Sequence, residues 1–274
     1  MTEALVHFLE VRNLRKTFPR GGGAFASTGS QETFTAVDDV SFFVAQGETF
    51  AIVGESGCGK TTLARMLLRL IEPDCGKILL EGRDLLVLSA EEIREERRQM
   101  QMIFQDPYAS LNPRMRVGEI VAEPLCIHVP SLTRTQRTEK AAEILHRVGL
   151  SEDAVKKYPH EFSGGQRQRI GIARALILRP KLVVADEPVS ALDVSVGAQV
   201  LLLLQELQRE FGLTYVFISH SLPVVAQIAT HIAVMRAGHL VEFGPAELIL
   251  NEPTADYTRQ LIAAVPTIPS RENM

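Results

Sequence analysis

Gly54-Glu55-Ser56-Gly57-Cys58-Gly59-Lys60-Thr61 matches G-x-x-x-x-G-K-[ST] at every fixed position. Glycines at this spacing let backbone N–H groups turn inward on a phosphate. Residues 48–53 read as a short apolar strand ahead of the loop, and Leu63, Met66, Leu67 and Leu70 recur behind it at i, i+3, i+4 and i+7. Strand, glycine loop and helix together are the setting a phosphate loop requires. The helix adds about half a positive charge at its N-terminus, where the loop's N–H groups converge. Gly54, Glu55, Ser56, Gly57, Cys58 and Gly59 then form a cradle for a nucleoside triphosphate. Lys60 is placed to reach the β- and γ-phosphates, and Thr61, followed by Thr62, puts its hydroxyl where Mg²⁺ would sit.

Working outward, residues 11–18 and 36–44 read as strands flanking a Gly/Ser/Thr-rich stretch over 21–35, expected to be a loop on a sheet edge. A helical region occupies about 115–178, with Ala141, Ile144, Leu145 and Val148 on one apolar face and Ile170, Ala173 and Ile177 on another; Pro180 closes it. Residues 182–185 and 213–218 are apolar without alternation, the pattern of strands covered on both faces. Between them Val196, Val200, Leu203, Leu204, Leu207 and Phe211 mark one side of a helix, and Gly212 is placed as its C-terminal cap. Alternating strands and helices predict a mainly parallel, layered α/β core with the helical region inserted as a subdomain. The charge-rich residues 91–98 mix both signs and read as a solvated helix face.

The chain has 274 residues, enough to bury a sizeable core. Its 29 basic and 33 acidic residues leave a net charge of -4, which argues against nucleic acid as a partner. Apolar runs such as 200–204 fall short of the ~20 residues of a membrane span. The first residues, Met1-Thr2-Glu3-Ala4-Leu5-Val6-His7, lack the basic-then-apolar pattern of a secretory signal, so a soluble, cytoplasmic chain is expected. Cys58, Cys75 and Cys126 are odd in number and have no CxxC spacing, which predicts reduced, semi-buried thiols.

Further chemistry lies downstream. Asp186 ends the strand Leu-Val-Val-Ala, where a carboxylate can hold the hydration shell of Mg²⁺. If the strand continued, Glu187 would point to the opposite side, free to orient or deprotonate an attacking water. Ser163 is suited to cap a following helix, and the N–H groups of Gly164 and Gly165 would make an anion site there. Gln105 ends a strand over 102–104 and His220 closes the one over 213–218. By themselves these two are ordinary loop and structural residues.

Phe162-Ser163-Gly164-Gly165-Gln166-Arg167-Gln168-Arg169 resembles the signature loop of ATP-binding cassette (ABC) proteins, which caps the nucleotide of a second subunit. The resemblance implies a P-loop NTPase, RecA-like core with an N-terminal antiparallel β-subdomain and an inserted α-helical subdomain. A single domain over 1–274 follows: core at about 1–105 and 180–250, helical subdomain at about 106–179 and a short tail at 251–274. It also implies roles. His220 matches the switch histidine that contacts the γ-phosphate, although the aspartate that commonly follows is Ser221 here. Gln105 matches the lid glutamine that touches Mg²⁺ and moves the helical subdomain. Ser190-Ala191-Leu192-Asp193 resembles the dimer-contact loop, which brings Asp193 to the nucleotide, and Gln166 completes the signature. Phe18 corresponds to the N-terminal aromatic that stacks on adenine, with core packing as its other reading.

Gln105-Asp106-Pro107-Tyr108-Ala109-Ser110-Leu111-Asn112-Pro113-Arg114, Tyr158-Pro159-His160-Glu161 ahead of the signature, Ala185 to Val196 and the tail from Asp256 to Pro266 are similar to the ATPase subunits of oligopeptide, dipeptide and nickel importers. Specifically, they are similar to the second of the two unlike ATPases such systems use. The implied activity is ATP hydrolysis with Mg²⁺, driving uptake at the cytoplasmic face of the inner membrane. The implied partners are a second ATP-binding subunit, two transmembrane permease subunits and, indirectly, an extracytoplasmic substrate-binding protein. Cargo and the choice between homodimer and heterodimer stay open. No cysteine follows Cys126, so the iron–sulfur site of the extended family members is expected to be absent. A soluble ABC ATPase of DNA repair or translation would carry two cassettes, coiled coils or zinc cysteines. A GTPase would carry Asn-Lys-x-Asp and no signature.

Overall fold

The computed structural model describes residues 7–19, 33–106 and 108–264. Most of the loop expected at 21–35, Pro107, the first six residues and the tail from Val265 onward lie outside them. Along the chain run β1 (Leu9–Pro19), β2 (Thr33–Val44), β3 (Thr49–Val53), α1 (Lys60–Leu67), β4 (Cys75–Leu80), β5 (Arg83–Asp84), α2 (Ala90–Glu96) and β6 (Met100–Ile103). Then come α3 (Val117–His128), α4 (Arg134–Arg147) and α5 (Gly164–Leu176). The chain re-enters the sheet with β7 (Leu182–Asp186), α6 (Val194–Phe211), β8 (Thr214–Ser219), α7 (Leu222–Ile228), β9 (His231–Arg236) and β10 (His239–Pro245), and finishes with α8 (Ala246–Asn251) and α9 (Asp256–Ala263).

Two sheets form. One is antiparallel, in the order β2-β1-β4-β5; the other runs β10-β9-β3-β8-β7-β6, parallel throughout except at the antiparallel β10 edge. Every residue of β3, β7 and β8 is buried, which explains their unbroken apolar runs. Successive β3 side chains alternate between two cores, as the two-residue period of a strand demands. Phe50 and Ile52 pack with Leu63, Met66, Val37 and Val40, whereas Ala51 and Val53 pack with Ile170, Ala173, Val200 and Leu204. Each fully buried leucine or isoleucine here contributes about 2 kcal/mol.

Helices α3, α4 and α5 lie between β6 and β7 in sequence and share the second core, where Ala141, Ile144, Leu145, Ile170 and Ala173 are buried as their periodicity predicts. Gly212 caps α6 in the left-handed region at φ 64°. Helix α1 is shorter than its heptad-like pattern suggests. It stops at Leu67, Arg69 turns into the left-handed region at φ 50°, and Leu70 is exposed. The Arg69 guanidinium donates to the carbonyls of Leu85 and Leu88 at 3.0 and 2.6 Å, which pulls the chain off the helical path. All three cysteines are free; Cys58 is buried, but Cys75 and Cys126 are exposed rather than semi-buried. Among the described residues no helix is long and apolar enough to cross a membrane.

Candidate active site

The carboxyl ends of β3, β6, β7 and β8 converge, the edge at which open α/β sheets bind ligands. The loop after β3 is wedged between two other strands. A Cβ on Gly54, at φ 153°, would lie 2.1 Å from the Met235 carbonyl, and one on Gly59, at φ 110°, would lie 2.0 Å from the Ala36 carbonyl. Only glycine fits either place. The Gly238 amide, from the β9–β10 turn, donates to the Cys58 carbonyl at 3.0 Å and fixes the loop from the far side.

Lys60 is 5% exposed, and its ammonium donates to the carbonyls of Gly54 and Glu55 at 2.7 Å each. No carboxylate is paired with it among the described ion pairs, so the cradle holds a buried positive charge that an anion can neutralise. The Thr61 hydroxyl donates to Asp186 Oδ1 at 3.2 Å. Burial pushes the Asp186 carboxyl above its usual range, the Thr61 bond opposing that shift. Two hard oxygens so placed beside the phosphate cradle fit Mg²⁺.

Strand β7 stops at Asp186 because Glu187 adopts φ 48°, although its amide still makes the last ladder bond, donating to the Ile218 carbonyl at 3.0 Å. The expectation of Glu187 on the opposite face of a continuing strand is thus replaced by a turn, at a cost of about 1 kcal/mol for a left-handed non-glycine residue. The turn aims the carboxylate at two partners: Gln105 Nε2 donates to Oε2 at 3.0 Å, and His220 Nδ1 lies 3.1 Å from Oε1. Gln105, Glu187 and His220 line one cavity of about 440 Å³ with Ser56, Gly57, Gly59, Lys60, Thr61 and Thr62.

Among the described residues, Phe34 lines this cavity and Phe18 does not. Phe18 faces Phe34 across the β1–β2 ladder and sits 5.6 Å from the Lys16 ammonium. Phe34 was missed because its neighbours 21–35 read as loop.

No residue of 163–166 lines this cavity among the described ones. Ser163 caps α5: its hydroxyl accepts from the Gln166 amide at 3.3 Å, and the Gln166 side chain accepts from the Ser163 amide at 3.0 Å. The two glycines differ. Gly164 is half-buried, with open space out to Leu192 at 3.6 Å, whereas Gly165 is buried and a Cβ on it would meet Val196 Cγ1 at 2.3 Å. Gly165 therefore packs against its own α6 instead of presenting an exposed face. Asp193 caps α6, accepting from the Val196 amide at 3.0 Å, a bond that holds its carboxyl below the usual range.

A second cavity, of about 680 Å³, opens on the other side of Gln105 and Asp186, between the sheet and α3; exposed Leu70, Phe104 and Ile127 line it.

The family model described as ABC transporter matches residues 37–190. The chain is 51% identical to a probable peptide ABC transporter ATP-binding protein, y4tS, of Sinorhizobium fredii, over 97% of this chain and 74% of that protein. It is 50% identical to the oligopeptide transport ATP-binding protein OppF of Salmonella typhimurium, over 94% of this chain and 77% of the other. The solved ATP-binding cassette MJ0796, a dimer in a post-hydrolysis state bound to ADP and Pi, superposes with a TM-score of 0.76 at 28% identity, covering 87% of this chain and 98% of that one. With its phosphate loop, signature and carboxylate pair on this fold, the chain belongs to the ABC transporter family and is an ATP-binding, ATP-hydrolysing member of it.

Proposed function

We propose that this chain is the second of two unlike ATPase subunits of a peptide importer, peripheral at the cytoplasmic face of the membrane and bound there to two permease subunits. An extracytoplasmic binding protein would hand peptides or related small solutes to those permeases. The observation that carries the reading is that the Ser163–Gln166 cap lies outside the cavity built around Lys60. The cap must then serve a phosphate loop on another chain. The names of the 50%-identical relatives supply the peptide class.

In this reading Lys60 exchanges the Gly54 and Glu55 carbonyls for the β- and γ-phosphates of ATP, and the amides of 57–60 complete the cradle. Thr61, Asp186 and Gln105 would hold Mg²⁺, which neutralises charge on the phosphates when bound. Glu187 gives up Gln105 for the attacking water and takes its proton, while His220 keeps the carboxylate aimed and faces the γ-phosphate. Phe34 walls the base end. The exposed apolar lining at Leu70, Phe104 and Ile127 is the surface offered to the permeases, beside the residue that senses nucleotide.

The test is cross-linking. In a chain with the exposed Cys75 and Cys126 changed to serine, a cysteine at Ser163 should link, on ATP addition, to a cysteine in the phosphate loop of a second, different ATPase in the purified complex. Linkage solely between two copies of this chain would establish a homodimer instead.

A further inference from the structure

We propose that Tyr108 is a positioning residue that ties the lid segment carrying Gln105 to the signature end of α5. This deepens the reading above and rests on it. Tyr108 is 61% exposed, so burial does not account for where its ring sits. The ring lies 4.1 Å from the guanidinium of Arg167, in the first turn of α5. Arg167 Nε and Nη2 donate to the carbonyls of Pro159 and His160 at 2.7 and 3.4 Å, so the edge of the guanidinium is committed and its face is left for the ring. The Tyr108 hydroxyl also comes within 4.0 Å of where a Cβ of Gly164 would stand.

The placement is built at both ends. The Tyr108 amide donates to Asp106 Oδ1 at 2.7 Å and the Ser110 amide to the Asp106 carbonyl at 3.1 Å, which fixes a turn directly after Gln105. Two turns further along α5, Arg174 donates to the Ser110 carbonyl at 2.6 Å and sits 5.8 Å from the Phe104 ring. Residues 167 and 174 are seven apart and share a helix face. One face of α5 therefore grips residues 104–110 twice, and Tyr108 is the grip next to the signature. Gln105, in the same segment, donates to Glu187. When Gln105 leaves Glu187, the segment carries α5 with it, and the capping end of the helix follows the state of the hydrolytic carboxylate.

The experiment compares Tyr108→Ala, Tyr108→Phe, Gln105→Ala and the double variant Gln105→Ala/Tyr108→Ala. ATP turnover is measured in the purified membrane complex, and binding of a fluorescent ATP analogue on the isolated chain. Tyr108→Ala should lower kcat about fivefold, the worth of one exposed cation–π contact, with analogue affinity unchanged. Phenylalanine should restore kcat, and the double variant should lose less than the product of the single losses. Wild-type kcat in Tyr108→Ala, equal loss in Tyr108→Phe, or multiplicative losses would each overturn the inference alone. A wild-type complex that does not hydrolyse ATP would overturn the function and this inference with it.

Discussion

Gly164→Asp separates the capping role of the signature from its structural role, because the two glycines there have opposite surroundings. A Cβ at Gly164 meets Leu192 Cδ2 at 3.6 Å and the Tyr108 hydroxyl at 4.0 Å, both ordinary contacts, and the backbone is helical. Losing glycine flexibility and placing a carboxylate in the first turn of α5 each favour the fold by about 0.5 kcal/mol. The folded chain should be no less stable, and its own phosphate loop untouched. A phosphate docking on the α5 terminus would instead meet a negative charge roughly 4 Å away, a repulsion of ~4 kcal/mol per unit charge at an effective dielectric constant of ~20, or about a thousandfold in the closure constant. Gly165→Ala is the control. Its Cβ would stand 2.3 Å from Cγ1 of Val196, whose β-branched side chain strongly prefers one rotamer in a helix, so the variant should lose about 1–3 kcal/mol of stability and several degrees in Tm. The assays are thermal unfolding of the isolated chain, binding of a fluorescent ATP analogue, and ATP-driven cross-linking in the complex. Unimpaired closure in Gly164→Asp, or a Tm loss there matching that of Gly165→Ala, would refute the assignment of the outward-facing glycine.

Glu187→Gln should retain ATP affinity, since the Lys60 cradle is not altered, while turnover falls about 10²–10⁴-fold, the usual contribution of a positioned base; near wild-type hydrolysis in the complex would exclude Glu187 as that base. Asp186 binds its proton more tightly in the fold than in the unfolded chain, so stability falls as pH rises from the usual aspartate value near ~4 to the raised folded value, and the penalty persists above it. Asp186→Asn should therefore raise the Tm of the nucleotide-free chain at pH 7, with the gain vanishing as the pH approaches ~4, and a Tm at or below wild type at pH 7 would contradict the burial argument.

What was legible in advance follows from how local each feature is. The strand, glycine turn and helix start around residues 49–60, the buried runs of β3, β7 and β8 and the Ser163 cap depend on neighbours a few positions away, and they form where they are read. The departures are places where a distant segment decides. Leu70 continues the α1 pattern, but Arg69 is captured by carbonyls 16 and 19 positions away. Gly165 looks like an open glycine until α6 packs where its Cβ would stand. Phe34 became legible only through the strand that pairs it with Phe18.

The wedging of the phosphate loop between Ala36 and Met235 also bears on biosynthesis. The loop emerges early from the ribosome, but one wall of its mould, Met235, and the Gly238 amide that braces it are made much later. At ~5–20 residues per second, that interval is on the order of ten seconds. The central strand β3 likewise waits for both of its neighbours, β8 and β9. A nascent chain therefore carries an exposed apolar strand and an unshaped glycine loop until the turn after β9 appears, and competence to hold ATP arrives with the last strands, not with the motif that names it.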